Sequence, residues 1–117
     1  QRLALPAAGR DRILAEMRGM LASMDGILKA LTAGDMPAAE KAARAAGMAV
    51  AADVEPGIKK ALPEAFLLLG MQTHRGFDRL ADRIQTGAGK DEVLKELSGI
   101  TSNCVACHAT WRLDESR

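Results

Sequence analysis

The sequence predicts an all-α fold, in which four helices pack as an antiparallel up-down-up-down bundle around one core. Apolar residues recur at alternating four- and three-residue spacings over long stretches, which is typical of amphipathic helices. Alanine, leucine and methionine supply most of the apolar residues, whereas aromatic residues make up only 3% of the chain, and this composition favours helices over strands. The length of 117 residues corresponds to a single domain spanning residues 1–117, and short connections favour a bundle.

The first predicted helix runs from about Ala8 to Thr32. Its apolar stripe consists of Ile13, Met17, Met20, Met24, Ile27 and Leu31. Ala33-Gly34 follows, and a glycine in this place is a common C-cap. Asp35 is then expected to cap the second helix, with Pro37 in its first turn.

The second predicted helix extends to about Asp53 and is dominated by alanine. Side chains this small permit a close approach between helices, either inside the chain or at a homodimer interface. Gly47 interrupts the pattern, and local exposure or close packing would account for it. Glu55-Pro56-Gly57 is predicted to form a turn.

Pro63 opens or kinks the third predicted helix, which ends before the breaker Thr86-Gly87-Ala88-Gly89. Its stripe contains Phe66, Gly70, Thr73, Phe77, Leu80 and Ile84, and His74 lies at the margin of that stripe. The fourth helix starts near Lys90-Asp91. It places Val93, Leu97, Ile100, Cys104, Cys107 and Trp111 on one line, so both cysteines are expected to face the core.

Charge and hydropathy argue against nucleic-acid binding and against a membrane span. The chain has 16 basic and 15 acidic residues in a mixed pattern, for a net charge of +1, and lacks the basic stripe of a nucleic-acid-binding protein. Its longest strongly apolar stretch, Ala65 to Met71, is too short to cross a bilayer. We therefore predict neither nucleic-acid binding nor a membrane span.

The most specific motif is Cys104-Val105-Ala106-Cys107-His108, which contains both cysteines of the chain. This spacing is the C-x-x-C-H attachment motif of c-type haem. In that chemistry each thiol adds across one haem vinyl group, and the adjacent imidazole becomes an axial ligand of the iron. The motif predicts one covalently bound haem c, held by Cys104, Cys107 and His108.

Three other roles for the motif are weaker. A thioredoxin-like pair would need a neighbouring βαβ pattern, and the flanking sequence predicts only helix. A zinc site would need two further ligands, for which His74 is the only other good candidate. A structural disulfide would leave His108 unexplained.

The helical pattern, the attachment motif near the C-terminus and the following Trp111-Arg112 together resemble the class II c-type cytochromes, the family of cytochrome c prime and its low-spin relatives. The resemblance covers nearly the whole chain and implies a haem lying in the bundle interior near the C-terminal helix. It also implies a periplasmic electron carrier that exchanges electrons with redox partner proteins and transforms no substrate. Since the chain begins with Gln1, removal of a leader is the expected origin of this start. A homodimer through the first two helices is common in the family.

The resemblance leaves the sixth ligand of the iron to be chosen. Low-spin family members use a methionine of the first helix, whereas cytochrome c prime leaves the iron five-coordinate and binds small gases such as nitric oxide, which is the alternative function. Counting back from the end of the first helix places the ligand at Met17. Met20 and Met24 share the inward stripe and remain alternatives, since methionine also fills gaps in helical cores. His74 would give bis-histidine ligation, although we expect it to bond a haem propionate or to face water.

Two arginines complete the predicted site. The resemblance implies an arginine one turn before the methionine ligand, where it meets a propionate; Arg12 and Arg10 lie near that position without occupying it. Arg112 is one helical turn after His108 and is expected beside the imidazole or a propionate, or as a solvated arginine of the last helix.

Overall fold

The computed structural model describes residues 1–51 and 54–114, and the predicted all-α class is confirmed. The helices are α1 (Ala7–Ala33), α2 (Met36–Arg44), α3 (Pro56–Lys60), α4 (Glu64–Gln85) and α5 (Lys90–Thr110), with a 3₁₀ turn at Met48–Ala51. Two short strands, β1 (Arg2–Leu3) and β2 (Arg112–Leu113), pair in parallel. Within the described ranges, none of the helices is both long enough and apolar enough to cross a membrane.

The junction between α1 and α2 follows the prediction closely. Gly34 takes a left-handed conformation with φ 69°, which a glycine adopts without steric cost. Its amide donates to the carbonyl of Leu31 at 3.1 Å, and the amide of Asp35 donates to the carbonyl of Ala30 at 2.9 Å, so the last carbonyls of α1 are satisfied. The Asp35 carboxylate then accepts from the amide of Ala38 at 3.0 Å and caps α2.

The second helix is shorter than predicted. It ends at Arg44 instead of continuing to about Asp53, which lies outside the described residues. The reason is a tertiary contact: the Asp78 carboxylate of α4 lies over Gly47 and accepts from the amide of Met48 at 2.9 Å. Arg44 pairs with the same carboxylate at 3.2 Å. The helix is therefore replaced by a turn that is fastened to α4.

Besides the 3₁₀ turn, two features were not predicted: the helix α3 and the pairing of β1 with β2. The turn expected at Glu55-Pro56-Gly57 is the start of α3, in which Pro56 occupies the first turn, a position that needs no amide hydrogen. The other is the pairing of β1 with β2. Strands of two residues are too short for alternation of polar and apolar residues to reveal.

The solid part of the core lies at one end of the helices. α1 packs on α2, α2 on α4, and α4 on α5. The core draws on the later half of α1, on α2, on the later half of α4 and on the early half of α5, and its largest buried side chains are Ile27, Phe77, Leu80 and Val93. Ala39 and Ala43 are fully buried in it, so at these positions the alanines of α2 serve packing within the chain.

Candidate functional site

The other end of the helices encloses a cavity of about 280 Å³. Its walls come from the early half of α1, the 3₁₀ turn, the 54–62 connection, the early half of α4 and the late half of α5. The apolar lining includes Ile13, Met48, Val54, Ile58, Leu62, Phe66, Leu67, Leu69 and Met71. Most of these side chains are only partly buried. The described residues thus leave a cavity with mostly apolar walls at this end of the fold.

One wall of the cavity carries the cysteine motif. Cys104, Cys107 and His108 all line it, because residues three and four apart lie on one face of a helix. The two cysteines are half-buried free thiols, and the Cys104 thiol lies 3.8 Å from the carbonyl of Ile100. The motif therefore presents both sulfur atoms and one imidazole to a common space.

Burial raises the pKa of the Cys104 thiol and that of the Cys107 thiol above their ordinary values. Both sulfur atoms are therefore protonated at neutral pH. A thiol-redox pair needs the opposite shift, because the thiolate is its nucleophile. The environment does not favour the thioredoxin-like alternative.

The three candidate methionines of α1 differ in their surroundings. Met17 and Met20 line the cavity together with the cysteine motif. Met20 and Met24 both pack against the solid core, but Met24, one turn further along, is not among the cavity residues. Two of the three candidate thioethers therefore share the space into which Cys104 and Cys107 project.

His74 is buried with both ring nitrogens engaged. Its side chain does not face water, which corrects one of the expected placements, because the residue is only 5% exposed. Nδ1 lies 2.7 Å from the carbonyl oxygen of Ala46, and Nε2 lies 3.3 Å from a carboxylate oxygen of Glu16. Both partners are acceptors, so the imidazolium form donates to each. In this arrangement neither nitrogen is free to bind iron.

The His74 contacts predict a pH-dependent stability. The hydrogen bond to Glu16 raises the pKa of His74 above its ordinary value against the opposing effect of burial, and the Ala46 carbonyl and the charge of Asp78 act in the same direction as Glu16. The unfolded chain has a histidine pKa of about 6.5. Because the folded pKa is higher, this contribution is fully present below about pH 6.5 and is lost as the pH rises through the folded pKa.

Chemical denaturation at a series of pH values checks this expectation. The free energy of unfolding should fall as the pH rises above about 6.5, and Glu16→Gln should flatten this dependence while leaving the Ala46 contact in place. The same pH dependence in both proteins would contradict the assignment to the His74–Glu16 pair.

The two predicted arginines lie elsewhere. The Arg12 guanidinium donates to the carbonyl of Val50 at 2.8 Å and lies 3.6 Å from Glu16. It thus contacts the 3₁₀ turn and a residue of the cavity wall, but it does not itself line the cavity. Arg112 is not on the last helix, because α5 ends at Thr110 and the chain becomes extended at Trp111. Arg112 is exposed in β2, and its predicted place one helical turn after His108 is wrong.

Sequence reasoning missed one wall of the cavity. The 54–62 connection supplies Val54, Ile58, Lys59 and Leu62, whereas the sequence predicts only a turn at Glu55-Pro56-Gly57 in this stretch. Gly70 of α4 also lines the cavity, and a Cβ atom placed there would meet nothing within 4 Å. This glycine leaves additional room beside α4, for which its place on the predicted apolar stripe was the only signal.

In the described part of the chain, no three of its His, Cys, Asp and Glu side chains are grouped in a way that could hold a metal ion by themselves. Comparisons with protein-family models, with curated proteins and with solved structures found no match to this chain.

Proposed function

We propose that this protein is a monohaem c-type cytochrome of the four-helix-bundle class, acting as a periplasmic electron carrier. The observation that carries the proposal is the shared cavity. The thiols of Cys104 and Cys107 and the imidazole of His108 line it together with the thioethers of Met17 and Met20. The packing of α1 on α2, α2 on α4 and α4 on α5 supports the bundle class.

The lining fits a flat apolar macrocycle. Its walls are built from aliphatic, methionine and phenylalanine side chains, and Gly70 leaves open space beside α4. Apolar side chains of the cavity wall that are only partly buried leave area in contact with water, which is unfavourable. A haem placed there would cover this area, so the fold gains stability from the group that the motif attaches.

Each residue of the site has a definite role in this proposal. Cys104 and Cys107 form the two thioethers, and His108 supplies the proximal nitrogen. Met17 is the proposed sixth ligand, with Met20 as the alternative, and a thioether favours ferrous iron. When bound, the haem supplies one-electron exchange between Fe(III) and Fe(II). With the haem in place, the apolar walls would shield it from water, and electron exchange with a redox partner would need only a small transient contact.

Substitution of single methionines by leucine tests the sixth ligand. Leucine keeps the volume and apolar character of methionine but removes the sulfur atom. We expect Met17→Leu to convert a low-spin absorption spectrum to a high-spin one and to open the iron to carbon monoxide. Met24→Leu is the matched control, since Met24 packs on the core, and it should keep the low-spin spectrum.

The pattern of variants assigns the ligand. A spectral change in Met20→Leu, with none in Met17→Leu, would move the sixth ligand to Met20. A wild-type protein that is already high-spin and binds carbon monoxide would contradict methionine ligation and favour the gas-binding function.

A further inference from the structure

One cationic side chain of the cavity has no role in the function proposed above. The ionisable side chains at its wall, apart from the cysteine motif, are Glu16, Lys59 and His74. Glu16 and His74 satisfy each other. No ion pair joins Lys59 to a carboxylate within residues 1–51 and 54–114. Lys59 is thus a positive charge at an apolar wall without a paired negative charge among the described residues.

The group that the motif attaches carries two negative charges. A haem has two propionate carboxylates, and they lie on the edge of the macrocycle away from the vinyl groups. Cys104 and Cys107 would hold the vinyl edge against α5, so the propionate edge would lie on the side of the cavity away from α5. The walls on that side come from other elements, among which α3 carries Lys59.

We infer that Lys59 is the cation that receives a haem propionate, an inference that rests on the proposed function. Charge-assisted hydrogen bonds between an ammonium group and a carboxylate are among the stronger polar contacts. The arginines that the sequence suggested for this role are placed less well, because Arg12 is engaged by Val50 and Glu16 and Arg112 does not line the cavity.

Lys59 is an exposed residue of α3, and its neighbour in the sequence contacts α1. Pro56 opens α3, and Ile58, the residue before Lys59, approaches Gly9 of α1, where a Cβ atom would lie 3.4 Å from an Ile58 side-chain carbon. Ile58 and Leu62 turn toward the cavity with Lys59. Lys59 thus lies at the cavity wall on a short helix whose Ile58 side chain approaches α1, while Lys60, the next residue, does not line the cavity.

A positive charge near the haem favours ferrous iron, which carries one positive charge fewer than ferric iron. Removing the charge of Lys59 should therefore lower the reduction potential. The effect should shrink at high salt to the extent that solvent ions screen the charge. A lysine that only faces solvent would produce no such difference between neighbouring positions.

The test is redox titration of the holoprotein and of four variants at low and high ionic strength. Lys59→Gln should lower the reduction potential, and Lys59→Glu should lower it further. Lys59→Arg keeps the positive charge and should keep the potential close to the wild-type value. Lys60→Gln is the matched control, since it removes the same charge from the adjacent residue, and it should leave the potential close to that of the wild type.

The outcomes separate this inference from the proposed function. Equal potentials in Lys59→Gln and Lys60→Gln, in a protein that carries haem, would overturn the role of Lys59 and leave the proposed function standing. A wild-type protein without haem would overturn both. Should Lys59→Gln lose haem during maturation while Lys59→Arg keeps it, the need for a cation at this position is supported by the haem content itself.

Discussion

Replacing both Cys104 and Cys107 by serine is expected to abolish covalent haem attachment completely. Serine keeps the size of the side chain but has no thiol to add to a vinyl group. The apolar cavity would then lack its covalently held occupant, and the midpoint temperature of unfolding should fall, since the attached haem covers the apolar wall only in the folded state. Haem staining of denatured protein and thermal unfolding measure the two effects.

The matched control lies between the two cysteines. Val105 is 70% exposed on the outer side of α5, so Val105→Ser introduces the same residue into the same helical turn without removing a thiol. This variant should retain covalent haem and nearly the wild-type unfolding temperature. Covalent haem in the double serine variant would contradict the assigned role of the cysteines.

Gly47→Ala is expected to be destabilising, by about 2 kcal/mol. The added methyl group would overlap the Asp78 carboxylate, which accepts from the amide of Met48 at 2.9 Å and from Arg44 at 3.2 Å. Relieving the overlap would turn the Asp78 carboxylate away and break these two contacts, while the Arg44–Asp82 pair at 2.6 Å would remain. The Asp78 carboxylate and the amide of Met48 would then need new partners, which adds to the steric cost.

The control for Gly47→Ala is the same substitution at a helical glycine that, unlike Gly47, has open space beside it. A Cβ atom at Gly19, in the interior of α1, would meet nothing within 4 Å. Gly19→Ala should therefore stabilise the protein by up to about 1 kcal/mol through helix propensity. Denaturant titration gives both free energies of unfolding, and a Gly47→Ala protein as stable as the wild type would be inconsistent with the described contact.

The sequence was informative where local signals decide the structure. Gly34 and Asp35 define the end of α1 and the start of α2 through contacts within a few residues. The end of α2 could not be predicted in this way, because Asp78 is distant in sequence from Gly47. Nothing near Gly47 indicates that a carboxylate of another helix will occupy the space beside it.

In the candidate site too, local sequence signals predict some residues, and the others depend on how the helices pack. The spacing of Cys104, Cys107 and His108 carries their chemistry by itself. Periodicity could not separate Met17 and Met20 from Met24, because all three share a stripe, and only the packing of the other helices defines where the solid core ends. The partner of His74 depends on the placement of Glu16 in three dimensions, and Lys59 belongs to a short element without an extended apolar period.

The intact mass of the purified protein, produced in a host with the machinery for c-type haem attachment and analysed under denaturing conditions, tests the central claim most directly. We predict the mass of the polypeptide plus one haem, with the addition mapping to the peptide that contains Cys104 and Cys107. A mass equal to that of the polypeptide alone, from a host that attaches haem to a control cytochrome, would contradict the account.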